Sequence, residues 1–156
     1  MKRYYIAYGS NLNIRQMRIR CPHARVIGTA VINDYELLFK GSRTGAYLTI
    51  EPKEGGEVPV AVWEVTESDE AALDRYEGFP SFYFKKDINL KYKGIRTRKH
   101  RTVTAFAYIM HEERPIGVPS NFYMRTCLEG YDNFFFDKNI LLDAYNKCRE
   151  ICGYER

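Results

Sequence analysis

The chain has 156 residues, of which 45% are hydrophobic and 15% aromatic, a size and composition suited to one domain with one core. Its net charge is only +4, which does not favour a nucleic-acid-binding protein. No run approaches the roughly 18 apolar residues of a membrane span, and the start of the chain does not resemble a signal peptide. We therefore predict a single domain over residues 1–156, cytoplasmic and without a membrane or nucleic-acid partner.

The first predicted elements are a strand and a helix. Residues 3–7 are aromatic and β-branched, which predicts a strand. Residues 13–20 have helical spacing, with Ile14, Met17 and Ile19 expected to face inward. The two elements follow each other so closely that only a short turn can join them.

That turn is the first candidate site. It consists of small and polar residues, Tyr8, Gly9, Ser10, Asn11 and Leu12. Glycine lets the backbone approach a ligand closely, and free N–H groups at a helix start favour a carboxylate or a developing oxyanion. Asn13 is a plausible N-cap of the helix, with Gln16 placed as in a capping box. An ordinary strand-to-helix turn is the alternative interpretation.

Strand segments separated by turn-rich links come next. Six segments are predicted to be strands: residues 24–31, 35–40, 46–50, 58–65, 83–92 and 102–110. Residues 41–45 are predicted to be a flexible link, and residues 51–57 a polar hairpin turn. Lys93 and Gly94 are expected to turn the last hairpin. Residues 121–152 are predicted to be helical with a break at 131–136, so the chain mixes strands and helices.

The second candidate site follows a predicted helix over residues 67–76, capped by Thr66 or Ser68. Gly78 suits the left-handed position just past the helix end. Glu77 then lies at the helix C-terminus, where the macrodipole disfavours a carboxylate. Aromatic residues follow at once, and partial desolvation would raise the pKa of this carboxyl toward general acid/base duty. A surface glutamate in a fraying last turn is the alternative.

The cysteines and histidines do not have the spacing of metal ligands. The four cysteines are Cys21, Cys127, Cys148 and Cys152, and the three histidines are His23, His100 and His111. Metal-binding cysteines usually stand closer together and in two pairs, so we predict reduced thiols in or near the core and no metal site. Most of the 13 tyrosines are expected to cover the sheet.

A basic segment spans residues 91–101, where six of eleven residues are Lys or Arg. Such a cluster can bind phosphate groups, but it holds a single aromatic residue. Basic residues at a hairpin tip also prevent edge-to-edge pairing of sheets. We favour this second interpretation.

Taken together, the two candidate sites resemble γ-glutamylcyclotransferase and its AIG2-like relatives. The resemblance rests on Tyr-Gly-Ser-Asn-Leu at residues 8–12, Leu-Asp-x-x-Glu-Gly at residues 73–78 and Pro-Ser-x-x-Tyr at residues 119–123. It implies an α+β fold, a mixed β-barrel with helices packed outside. It also implies an enzyme that forms 5-oxoproline by attack of the α-amine of a small γ-glutamyl substrate on its own γ-carbonyl.

The resemblance assigns roles to individual residues. Glu77 is the implied general acid/base, and no metal or cofactor is required. The implied substrate-binding residues are Tyr8, Gly9, Ser10, Asn11, Leu12 and Tyr123. Residues 41–46 and 115–121 are candidate rims of the leaving-group pocket because both are turn-rich. The leaving group and the oligomeric state stay open.

Two rival interpretations remain at this point. A serine hydrolase using Ser10 would need a base, yet no histidine is suggestively placed, and the second glycine of a nucleophile elbow is missing. A non-catalytic small-molecule-binding or regulatory module of the same fold is the other. The presence of Glu77 argues against it, because a degenerate pocket has no need of a carboxylate in an unfavourable place.

Overall fold

The structure is a computed structural model that describes residues 3–42 and 45–153. Its strands are β1 (Arg3–Ala7), β2 (Arg25–Lys40), β3 (Tyr47–Val65), β4 (Tyr83–Gly94) and β5 (His100–Met110). Its α-helices are α1 (Ile14–Arg20), α2 (Glu67–Glu77), α3 (Asn121–Asn133) and α4 (Lys138–Ile151). A short 3-10 turn, Ser10–Leu12, joins β1 to α1. The predicted flexible link at 41–45 includes Arg43 and Thr44, which lie outside the described residues.

The five strands close into a barrel in the order β1-β3-β2-β4-β5. Neighbouring strands are antiparallel except β1 and β5, which run parallel with Tyr5 opposite Phe106. The predicted mixed barrel is therefore confirmed. At the β2–β4 seam Gly28 pairs with Gly94, and a Cβ atom at Gly28 would overlap the carbonyl oxygen of Lys93. Glycine is thus needed where these two strands come closest.

Strands β2 and β3 are longer than the sequence predicted. Each was expected to be two separate strands, and residues 51–57, which lie within β3, were expected to form a hairpin turn. Both expectations are wrong. Both halves of β3 pair with β2, and the register jumps where Asp34 adopts a left-handed φ of 63°. The polar residues form a bulge instead of reversing the chain, and the Gly55 N–H donates to Asp34 Oδ1 at 3.0 Å.

The β4–β5 hairpin is confirmed, but its turn lies further along than predicted. Lys93 still pairs with His100, so Lys93 and Gly94 belong to the strand. The chain reverses over residues 95–99, where the Gly94 N–H donates to the Lys99 carbonyl at 2.8 Å. The basic segment is therefore the tip of this hairpin.

Helix α1 begins as predicted, because the Asn13 side chain accepts a hydrogen bond from the Gln16 N–H at 3.1 Å. Met17 is fully buried, but Ile19 is 77% exposed, contrary to expectation. Two residues along a helix turn the side chain by about 200°, so Ile19 cannot share the face of Met17.

Helix α2 has both predicted ends. Thr66 caps its start in a reciprocal capping box with Asp69, and Gly78 ends it with a φ of 64°. The break in the C-terminal helical region falls at residues 134–137. No helix within the described residues is both long and apolar enough to cross a membrane.

Candidate active site

A cavity of about 360 Å³ opens at the end of the barrel where β1 and β5 finish. The Ser10–Leu12 turn forms one side of it, and the last turn of α2 forms another. Six predicted site residues line the cavity: Tyr8, Gly9, Ser10, Asn11, Glu77 and Tyr123. The structure therefore brings the two sequence motifs together, although they stand more than 60 residues apart.

Leu12, the seventh predicted site residue, does not line the cavity. Its side chain is fully buried beneath α3. A Cβ atom added to Gly130 of α3 would lie only 2.7 Å from the Leu12 Cβ atom. Leu12 therefore packs the turn against α3 at a point where only glycine leaves enough room.

Polar contacts from α3 hold the same turn. The Asn13 amide donates to the Thr126 carbonyl at 3.1 Å and to Glu129 Oε2 at 2.8 Å. Arg15 also pairs with Glu129 at 2.8 Å. These contacts fix the turn from the side facing away from the cavity, which the sequence motif alone did not show.

Within the described residues, the hydrogen bonds inside the turn use only some of its backbone donors. The N–H groups of Leu12 and Asn13 donate to the carbonyls of Gly9 and Ser10. Those of Ser10 and Asn11 have no acceptor among the described residues. Both residues are buried, so these N–H groups are suited to an acceptor on a bound molecule.

Glu77 is partly buried and ends α2 at the cavity. Its Oε1 atom accepts a hydrogen bond from Asn11 Nδ2 at 3.3 Å. The same nitrogen donates to the hydroxyl of Tyr5 at 2.9 Å. Burial raises the pKa of Glu77 from its ordinary 4.5 to about 7, and the Arg20 guanidinium opposes this rise. The carboxyl can therefore take up and release a proton near neutral pH.

Gly9 brings the backbone close to Tyr123 and to β3. A Cβ atom here would lie 3.3 Å from the Tyr123 hydroxyl and 3.4 Å from the Leu48 Cβ atom. The Tyr123 hydroxyl accepts a hydrogen bond from the Leu48 N–H at 3.1 Å. Tyr123 thus both lines the cavity and supports β3.

Ser10 does not have the surroundings of a serine nucleophile. Its Oγ atom lies 3.1 Å from the hydroxyl of Tyr76, another cavity residue. The residues described as lining the cavity include no histidine. Ser10 therefore lacks the adjacent imidazole that activates such a hydroxyl.

Tyrosine contributes more to the cavity than the sequence predicted. Seven of the 13 tyrosines line it: Tyr5, Tyr8, Tyr47, Tyr76, Tyr83, Tyr108 and Tyr123. Four of these seven also belong to strands, so the expectation that most tyrosines cover the sheet stays a prediction. Two of the seven tie their hydroxyls to backbone carbonyls at the barrel end. Tyr83 donates to the Leu48 carbonyl at 2.8 Å, and Tyr8 donates to the Tyr108 carbonyl.

An ion-pair cluster behind the cavity was also missed. Lys85 Nζ lies 2.9 Å from Asp74 Oδ1 and 2.6 Å from Glu70 Oε2. Arg3 pairs with the same Glu70 oxygen at 2.9 Å. No local pattern in the sequence indicated this cluster, because its members come from three elements, β1, α2 and β4.

The described residues of the predicted rim segments, 41–42, 45–46 and 115–121, do not line the cavity. The described residues of 41–46 hydrogen-bond to 115–121 instead, with Gly41 N–H donating to Pro115 and Ala46 N–H to Val118. Next to these contacts, Lys40 forms an antiparallel bridge with Ile116. Tyr47 and Phe82 form the open wall in their place.

No metal-binding cluster of three or more His, Cys, Asp or Glu side chains occurs within residues 3–42 and 45–153. Within the described residues, none of the four cysteines forms a disulfide. Burial raises the pKa of Cys21 and of Cys127 to about 12 and that of Cys148 to about 11. These three thiols are therefore protonated core residues at neutral pH, as the sequence predicted.

The chain is similar to several known proteins. The family model described as gamma-glutamyl cyclotransferase, AIG2-like, matches residues 5–125. The human gamma-glutamylcyclotransferase is 31% identical over 139 residues, which cover 83% of this chain and 70% of the human protein. The mouse gamma-glutamylcyclotransferase gives the same identity and the same coverage. A solved structure of a gamma-glutamyl cyclotransferase is 25% identical, with a TM-score of 0.74 over 96% of this chain and 87% of that chain.

The family model thus spans both candidate motifs and most of the barrel. The human and mouse relatives and the solved structure agree with it in name, and the solved structure also agrees in fold. The chain belongs to the gamma-glutamylcyclotransferase, AIG2-like family.

Proposed function

We propose that this protein converts a γ-glutamyl compound into 5-oxoproline and a free amine or amino acid. The α-amino nitrogen of the glutamyl group attacks its own γ-carbonyl carbon and closes a five-membered lactam. The bond from that carbon to the leaving nitrogen then breaks. The observation that carries the proposal is a carboxyl of pKa about 7, Glu77, held in the cavity by Asn11.

Glu77 supplies the proton transfers in this scheme. The substrate amine is mostly protonated at neutral pH and cannot attack in that form. The Glu77 carboxylate takes one proton from the ammonium, and the resulting carboxylic acid gives it to the leaving nitrogen. The regenerated carboxylate then takes the second proton that the attacking nitrogen must lose to become the lactam N–H. A pKa near the working pH suits a group that must act as both base and acid.

The turn at residues 8–12 holds the glutamyl end in our proposal. The free N–H groups of Ser10 and Asn11 are suited to the substrate carboxylate or to the oxyanion that develops on the γ-carbonyl. Gly9 keeps the backbone accessible beside Tyr123. Leu12 contributes by anchoring the turn and not through its side chain in the cavity.

The size of the cavity suits this reaction. Small-molecule sites occupy about 300–1,000 Å³, and this cavity, at about 360 Å³, lies at the lower end of that range. Because both reacting groups belong to one molecule, the site must mainly enforce a bent conformer of the substrate. Orientation of this kind is worth up to about 7–11 kcal/mol in favourable systems.

The test is release of 5-oxoproline from a panel of γ-glutamyl amino acids and γ-glutamylamines. Glu77→Gln keeps the shape of the side chain but cannot carry the proton, so turnover should fall about 10²–10⁴-fold. Glu54→Gln, at an exposed site on the β3 bulge, is the matched control and should retain wild-type turnover. Near-full turnover of Glu77→Gln would refute the assignment.

The product also separates the rival interpretations. A serine hydrolase would release glutamate instead of 5-oxoproline, and Ser10→Ala would abolish that activity. A binding module would retain γ-glutamyl compounds without turning them over. Activity that survives a metal chelator would support the prediction that the reaction needs no metal. The single domain over residues 1–156 and the cytoplasmic location remain parts of the same proposal.

A further inference from the structure

Arg20, the last residue of α1, bridges the two halves of the site without lining the cavity. Its guanidinium lies over the ring of Tyr76, 3.4 Å from the ring centroid. Its Nη1 atom donates to Asn11 Oδ1, and its Nη2 atom donates to Gln16 Oε1 at 3.4 Å. Tyr76 belongs to α2 and immediately precedes Glu77. Arg20 therefore contacts α2 through Tyr76, and it also contacts Asn11, whose side chain donates to the Glu77 carboxylate.

Both polar atoms of the Asn11 side-chain amide have hydrogen-bond partners of the matching type. Its oxygen accepts from Arg20, while its nitrogen donates to Tyr5 and to Glu77. Rotation of the amide by 180° would place its oxygen against the Glu77 carboxylate and its N–H groups against the guanidinium. A guanidinium has only donors, so Arg20 accepts one amide orientation and rejects the other.

We propose that Arg20 is a positioning residue for the cyclisation proposed above: it fixes the Asn11 amide so that it donates to one Glu77 oxygen and leaves the other to carry the transferred proton. The inference rests on the proposed function for its catalytic meaning. The orientation of the amide can nevertheless be measured without turnover.

The other groups around Glu77 cannot replace Arg20 in this role. The titratable side chains that face the carboxyl from the remaining elements are Tyr5, Tyr8, Tyr83, Tyr108 and Tyr123. Burial raises the pKa of each of them, so they are neutral at pH 7. Arg75 lines the cavity from α2, but Arg20 is the cation that lowers the pKa of Glu77.

Three variants test the inference. Arg20→Met removes both the charge and the donor, and Arg20→Lys keeps a charge and a donor. Arg18→Met removes a charge from an exposed position of the same helix and is the matched control. Arg20→Gln takes the place of Arg20→Met if circular dichroism shows that the latter does not fold.

Two measurements use the whole protein without substrate. The first is hydrogen exchange of the Asn11 side-chain amide by NMR, assigned with Asn11→Ser. The second is the titration of Glu77 by carbon-13 NMR, assigned with Glu77→Gln. In Arg20→Met we expect faster amide exchange and a Glu77 midpoint about one pH unit higher, because an attractive cation has been lost. Arg18→Met should match the wild type, and Arg20→Lys should fall close to it.

The rate of 5-oxoproline release supplies the third readout. In Arg20→Met, the acid limb of the pH profile of kcat/KM should move to a pH about one unit higher. At pH values below that limb, kcat/KM should therefore be about tenfold lower than in the wild type. Identical amide exchange and Glu77 titration in Arg20→Met and Arg18→Met would overturn the inference. If the wild-type protein releases no 5-oxoproline, the proposed function fails, while the two NMR measurements still decide whether Arg20 orients Asn11.

Discussion

The hydroxyl of Tyr108 donates to Asp74 Oδ1 over 2.6 Å and joins the end of β5 to the middle of α2. Asp74 lies one helical turn before Glu77, so this bond acts on the segment that carries the proposed acid/base. Lys85 pairs with the same Asp74 oxygen and lies over the ring of Phe79. A half-buried charge cluster therefore supports the helix from behind the cavity.

Removal of the cation from this cluster should destabilise the protein. Lys85→Met leaves Asp74 without its cation and Glu70 with Arg3 alone, and the loss is felt because Lys85 is only 18% exposed. We expect a loss of about 1–3 kcal/mol in the free energy of unfolding, measured by urea denaturation. Lys86→Met, which removes an exposed contact to Tyr35, should cost less than about 0.5 kcal/mol. Equal losses in both variants would contradict this role.

Glu77→Gln should stabilise the protein at alkaline pH. The pKa of Glu77 rises from 4.5 to about 7 on folding, so between these values the folded state binds more protons than the unfolded state. Stability therefore decreases as the pH rises from about 4.5 to 7 and stays reduced above that window. Glutamine avoids this cost, and because the side chain is partly exposed we expect a gain of about 1–2 kcal/mol at pH 8.

The control for this prediction is the pH dependence itself. The melting temperatures of wild type and Glu77→Gln should converge near pH 4.5, where both side chains are neutral. A gain of the same size at pH 4.5 and at pH 8 would show that it does not come from the ionisation of Glu77.

Substitutions at Gly9 should reduce activity in order of size. A Cβ atom added at Gly9 would lie 3.3 Å from the Tyr123 hydroxyl and 3.4 Å from the Leu48 Cβ atom. Gly9→Ala therefore needs a small adjustment of these neighbours. Gly9→Val adds two methyl groups to the same space. We expect at least a tenfold lower kcat/KM for valine and a smaller loss for alanine, measured as 5-oxoproline release. Equal activity of all three proteins would show that the substrate does not approach this backbone.

Tyr123→Phe tests whether the hydroxyl serves the substrate or only β3. The change leaves the Leu48 N–H without its acceptor, which should cost about 1–2 kcal/mol of stability. If the hydroxyl also contacts substrate, as we propose, KM rises or kcat falls. Tyr35→Phe, away from the cavity, is the control for loss of a tyrosine hydroxyl. Lower stability with unchanged kinetics would assign Tyr123 to packing alone.

Local signals predicted the ends of the elements that form the site. The cap at Thr66, the left-handed Gly78 and the aromatic residues after it all act within a few residues of Glu77. They were therefore visible in the sequence, and so was the general acid/base candidate. The motif at residues 8–12 was equally local, and the family resemblance supplied the barrel.

Features that depend on pairing between distant segments could not be predicted in this way. The bulge at Asp34 exists because both halves of β3 pair with β2, which no single segment reveals. The contact of Arg20 with the ring of Tyr76 is another such feature, because the two residues belong to different helices. The burial of Leu12 also depends on a distant segment, because it requires the absence of a side chain at Gly130.

The two walls of the cavity differ in what else they support. One wall carries Glu77 and Asn11, whose contacts continue into α1 and β1. The other carries Tyr47 and Phe82, whose rings meet edge to face with 6.0 Å between their centroids. Tyr47 is the first residue of β3, and Phe82 directly precedes β4. Tyr47 is 45% exposed. If the reaction is the one we propose, substitutions at this second wall would change which leaving amine fits the cavity without touching the contacts of Glu77.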